Sequence, residues 1–160
     1  MIGENKQFDL LYRGSKDGFG SKEFHAKVDA KGPTLTIIKS KQFNRIFGSY
    51  TNIQQSVQGK QKKQLGKTFL FSVRAGDRPV VQLKHKSGSE VNHRGNLFET
   101  ASPDLFIPKN ADKLPGTCSS DLGHGYELPP GFLKNDEELK TYLAGAKKFA
   151  VMEIEVFAVR

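Results

Sequence analysis

The chain has 160 residues, 36% of them apolar, with 12 Phe, one Cys and no Trp, and its 25 Lys and Arg against 17 Asp and Glu give a net charge of +8. A chain of that length forms one domain, residues 1–160, and buries about 70% of its unfolded surface around a single core. A lone cysteine excludes an intrachain disulfide, and no stretch approaches the roughly 18 apolar residues of a membrane helix.

The polar start, Met1 to Lys6, has no apolar stretch of the signal-peptide kind, so a cytoplasmic setting is expected, with a nuclear one also possible. Leu10-Leu11-Tyr12 reads as a first strand. Ser15 and Asp17 are placed to accept from free amides where a helix begins, and Ser21 and Glu23 to cap a second turn. Phe19, Phe24 and Val28 suggest a helix over about 20–28, ended by Asp29 to Gly32 and by Pro33. Thr34 to Lys39 and Ile46 to Thr51 read as a hairpin joined by Gln42-Phe43-Asn44-Arg45. Gly48 within the second strand marks a bulge or a close backbone approach.

Gln54 to Lys67 is polar and basic and reads as loop, including the densest basic run, Lys60-Gln61-Lys62-Lys63. Thr68 to Val73 is a buried strand. The turn Gly76-Asp77-Arg78-Pro79 leads into Val80 to Leu83, and Ser87 to Asn96 is loop again. Asp104 to Ile107 is a short strand, and Thr117 to Ser120 an edge strand. Asn135 or Asp136 caps a helix to about Leu143, with Gly145 near its end. In the last strand, Lys148 to Val159, alternation puts Ala150, Met152, Ile154, Val156 and Ala158 on one face. Phe149, Val151, Glu153, Glu155 and Phe157 fall on the other. Many short strands, two short helices and no βαβ alternation point to a mostly β, α+β fold: a two-layer antiparallel β-sandwich with short flanking helices.

Four chemistries have candidate residues. The soft metal ligands His25, His85, His93, His124 and Cys118 share no ligand spacing, so no metal and no cofactor is expected. Ser119-Ser120-Asp121 and His124 lie close in sequence after Cys118, without a nucleophile elbow. Gly14, Gly18 and Gly20 follow a strand and precede a helix, but no Gly-Lys-Ser/Thr or GxGxxG pattern is present, and the reading is a sharp turn. Glu153 and Glu155, two apart in a strand, point the same way. They can do acid–base work, hold a cation, cap backbone donors or meet a partner.

Segments 11–19 (Leu-Tyr-Arg-Gly-Ser-Lys-Asp-Gly-Phe), 32–39 (Gly-Pro-Thr-Leu-Thr-Ile-Ile-Lys), 46–51 (Ile-Phe-Gly-Ser-Tyr-Thr) and 142–145 (Tyr-Leu-Ala-Gly) running into 153–157 (Glu-Ile-Glu-Val-Phe) together resemble the TLDc domain of oxidation-resistance proteins. The match covers about residues 9–159. It rests on Asp17, Gly18, Phe19, Gly32, Gly48, Tyr50, Gly145, Glu153 and Glu155. Ser49 stands where the family commonly has a second glycine, the Trp expected soon after is missing, and Phe98 to Asp104 replaces a glycine-rich stretch.

The resemblance implies a β-sandwich and a non-enzymatic, cytoplasmic protein-interaction domain of oxidative-stress resistance. Its implied partners are subunits of the proton-pumping V-ATPase, and the chain is expected to be a monomer. The alternative is an antioxidant or hydrolytic enzyme using Glu153, Glu155 and His124. A third reading, a basic nucleic-acid-binding module, has dispersed charge and no aromatic–basic interleaving against it.

Overall fold

The computed structural model describes residues 5–53, 67–73, 80–86, 96–100, 102, 104–113 and 116–160. The basic run at 60–63, the turn at 76–79, the loop at 87–95 and His93 lie outside them. The strands are β1 (Phe8–Arg13), β2 (Thr34–Ser40), β3 (Ile46–Thr51), β4 (Thr68–Val73), β5 (Val81–Lys84), β6 (Phe98–Glu99), β7 (Leu105–Ile107), β8 (Cys118–Ser120), β9 (Lys148–Phe149) and β10 (Val151–Val159). Helices α1 (Gly14–Asp17) and α2 (Ser21–Val28) follow β1, and a 3-10 helix, Glu137–Thr141, precedes β9.

Two antiparallel sheets form, in strand order β1-β10-β2-β3-β4-β5 and β6-β7-β8-β9. Alternation in β2 puts Thr34, Thr36, Ile38 and Ser40 inward, with Ile38 fully buried. Ile38, Phe47 and Leu70 from the larger sheet share one core cluster with Phe98, Leu105, Cys118 and Phe149 from the smaller. Phe47 and Phe149 meet edge to face across the layers, centroids 5.6 Å apart. Helix α2 closes one side by setting Phe24 against Tyr12, centroids 5.0 Å apart.

The β2–β3 hairpin forms in unbroken register, Thr34 opposite Thr51 through Lys39 opposite Ile46. Gly48 is therefore no bulge but a close approach: a Cβ there would lie 1.9 Å from the Thr36 carbonyl oxygen and 2.8 Å from the Phe71 ring. Four expectations change. The last strand is two strands, because the chain crosses between sheets at Ala150, with β9 pairing to β8 and β10 to β1 and β2. A bulge between Val151 and Glu153 then inserts one residue and slips the alternation. Met152 turns outward, 44% exposed, while Phe149 and Val151 are fully buried.

The strand at 118–120 is not an edge strand; it lies between β7 and β9. The expected helix from 135 to 143 shortens to the 3-10 turn Glu137–Thr141, after which Tyr142, Leu143 and Ala144 are buried in succession. Helix α2 starts at Gly20 with no side-chain cap, so neither Ser21 nor Glu23 serves as one.

Candidate functional site

The paired carboxylates of β10 lie where that strand runs beside β1, with Arg13 opposite Glu155. Glu155 Oε1 accepts from Arg13 Nε at 2.7 Å. Glu153 Oε1 accepts from the Ser15 amide at 3.0 Å, and its Oε2 accepts from the Ser15 hydroxyl. The Ile154 amide also donates to Glu153 Oε1, at 3.0 Å. Glu153 thus supplies the negative charge that the free amides of α1 attract. The glycine-bearing turn at 14–20 already holds an anion of the protein's own, and the strand leading into it is antiparallel to its neighbour, unlike a nucleotide-binding βαβ unit.

The turn is tied from the other side as well. Asp17 Oδ2 accepts from the Arg13 amide at 2.9 Å, and Lys27 Nζ lies 3.0 Å from its other oxygen. These two partners, the amide first, hold the Asp17 carboxyl below its usual range. Tyr12 donates its hydroxyl to the Gly18 carbonyl, and burial pushes its pKa well up. Phe19 packs against the core. Gly18 ends α1 and Gly32 sits in the turn before β2. Gly145, at φ +91°, leaves room for the Phe43 ring, whose nearest atom would lie 2.4 Å from a Cβ. Tyr50 stacks on Phe69, centroids 5.3 Å apart. Each residue that carries the family motif therefore has a partner, a steric duty or, as at Gly32 (φ +85°), a left-handed backbone that favours glycine.

The serine–histidine arrangement does not assemble. Cys118 is fully buried, and burial pushes its thiol up to about 11. Ser120 is buried, and no hydrogen bond joins a serine hydroxyl to the His124 ring among the described residues. His124 instead sits 3.9 Å from Asp121, which binds Lys147 at 2.8 Å. These three side chains line a cleft of about 330 Å³ with Lys134, Asp136 and Lys140. Its carboxylates are engaged: Asp136 accepts from the Leu133 amide at 2.7 Å, and Glu137 holds Lys140 at 2.6 Å. His25 pairs with Asp29 at 3.0 Å, and His85 meets the Tyr126 ring edge to face at 4.9 Å. The described residues bring together no group of three metal-type ligands.

Sequence reasoning missed Asp104. Fully buried before β7, it accepts from the amides of Gly123, His124 and Gly125 at 2.9, 3.2 and 2.7 Å, and from the Ser102 hydroxyl at 2.6 Å. It builds the loop that carries His124. Only a carboxylate opening a strand marked it in sequence, which is also how a solvated turn residue looks.

No described helix is long and apolar enough to cross a membrane. The family model of the TLDc domain matches residues 2–160, essentially the whole chain. No curated protein matches the chain.

Proposed function

The chain belongs to the TLDc domain family, and from that premise we propose that it works by protein contact, docking on subunits of the V-ATPase and modulating that pump's assembly or activity in oxidative-stress resistance. It does so as a cytoplasmic monomer, without a cofactor. The observation that carries this reading is the engagement of Glu153 and Glu155. The best acid–base pair in the sequence is occupied by Ser15, Ile154 and Arg13, so both carboxylates already serve partners within the fold. General acid–base catalysis needs a group within hydrogen-bond reach of substrate.

The test uses purified V-ATPase and the purified protein, with binding read by interferometry and pump function by ATP hydrolysis. The expected result is saturable binding together with a change in hydrolysis rate. Absence of binding at micromolar protein would overturn the reading. The enzyme alternative retains one observation, the Asp121–His124 pair at the mouth of the cleft. Turnover of peroxide or of ester substrates by the protein alone, abolished by His124→Ala or by Glu153→Gln with Glu155→Gln, would favour it.

A further inference from the structure

The β2–β3 hairpin ends in a tip whose residues 41–46 are exposed without a break, and Phe43 within it is 48% exposed. The tip is held in place. Asn44 takes a left-handed φ of +50° to make the turn. The Ser40 amide donates to the Arg45 carbonyl at 2.9 Å, and the Arg45 amide donates to the Ser40 hydroxyl at 3.1 Å. Gln42 Oε1 accepts from the Ala150 amide at 3.1 Å, and the base of the Phe43 ring lies over Gly145. Phe43 thus stands half in water on a turn that its neighbours fix. A single exposed apolar residue means little by itself, and its surroundings decide what it is for.

Four cations gather around the tip, where the chain crosses between the sheets. Lys41 and Arg45 flank Phe43 in sequence. The Lys41 amide donates to the Ala150 carbonyl at 2.8 Å and its Nζ to the Asp112 carbonyl at 3.3 Å, which brings Lys113 alongside. Lys148 lies between Gly145 and Ala150, the two residues that the tip touches. All four are exposed, and none forms an ion pair among the described residues. Asp112 is the carboxylate among them, and Lys147 is already matched by Asp121 at 2.8 Å. With Asp112 counted against the four, an excess of three positive charges remains.

Shape selects among anionic partners. A peptide is recognised by a groove or by a strand edge. The cleft beside His124 includes neither Phe43 nor any of the four cations. The sheet edge nearest the tip, β9, is two residues long, too short to template an added strand. A projecting apolar ring among lysine and arginine suits a bilayer surface instead. The ring enters the headgroup layer while the long basic side chains reach lipid phosphates and carboxylates. We propose that the β2–β3 tip docks on an anionic membrane surface, with Phe43 at the level of the headgroups and Lys41, Arg45, Lys113 and Lys148 on their charges. This contact is additional to pump docking and does not depend on it.

The chain has no Trp, so Phe43→Trp places a single fluorophore at the tip. Vesicles of phosphatidylcholine with phosphatidylserine should shift its emission to the blue, and vesicles of phosphatidylcholine alone should not. In co-sedimentation with the anionic vesicles, Lys41→Glu with Lys113→Glu should weaken binding at least about tenfold, and Phe43→Asp should weaken it as well. Each variant is checked for native circular dichroism. Lys148→Glu, which breaks no described hydrogen bond, carries the charge test if the double variant unfolds. Absence of the blue shift, equal binding to neutral vesicles, or unchanged binding in the charge and Phe43 variants overturns the proposal. So does tighter binding to polyglutamate or to duplex DNA than to the vesicles, or full competition by inorganic phosphate. Vesicle binding without V-ATPase binding leaves this surface and removes the pump reading. V-ATPase binding without vesicle binding does the reverse.

Discussion

The Ser15 amide donates to Glu153 Oε1 at 3.0 Å across 138 residues of sequence. The bond ties α1 to the middle of the sheet, and the Arg13–Glu155 pair lies beside it. The two contacts differ in kind. Glu153 accepts from two amides and a hydroxyl, whereas Glu155 holds one arginine that is 45% exposed. Glu153→Ala should therefore destabilise the protein by about 1–3 kcal/mol, and Glu155→Ala by less than about 1 kcal/mol. Urea unfolding of both variants checks the order, and equal losses would contradict it.

Gly48→Ala should fail where most surface changes succeed. The new methyl would collide with the Thr36 carbonyl, a backbone atom in the same sheet that has no room to rotate away. Overpacking costs about 1–3 kcal/mol where neighbours can yield, so here the loss should exceed about 3 kcal/mol or stop the protein accumulating in folded form. A variant with the parent's melting temperature would show that the β2–β3 register differs from that described.

Asp104→Asn should cost about 3 kcal/mol, because a fully buried carboxylate serving three amides and a hydroxyl loses its charge and presents an amide donor where donors already converge. Amide exchange of Gly123 and Gly125 should accelerate more than exchange in β10. Uniform acceleration would mean that Asp104 supports the whole fold and not this loop in particular.

Acid stability should report Asp17. Its carboxyl is depressed below the ordinary 3.8 in the folded protein. The unfolded chain therefore takes up the proton first, and stability is lost as pH falls from about 4 through the folded value, while above about pH 5 the contribution is complete. Asp17→Asn should lower stability at neutral pH and flatten the profile below about pH 4. Profiles that stay parallel down to pH 2 would remove Asp17 from the acid response.

The extent of the family match, the predominance of strand and the β2–β3 hairpin were legible because each rests on near-neighbour patterns. β-branched runs, turn residues and period-two alternation act within a few positions of one another. The pairing of β1 with β10, and thus the engagement of Glu153 by Ser15, joins opposite ends of the chain, and no local pattern encodes it.

The last strand shows the boundary between the two kinds of information. Its apolar content, from Phe149 to Val159, established that it enters the core. Which residues point inward depended on the crossing between sheets at Ala150 and on the bulge at Met152, since one inserted residue reverses every side chain before it relative to those after. The outward face of the larger sheet behaves alike. Leu10, Leu35, Tyr50, Phe69 and Phe157 are ordinary apolar residues one by one, and only the registers of four strand pairs align them. Composition and periodicity determined which residues avoid water. The tertiary structure decided which of them find cover, because burial belongs to a surface assembled from distant segments and not to a residue.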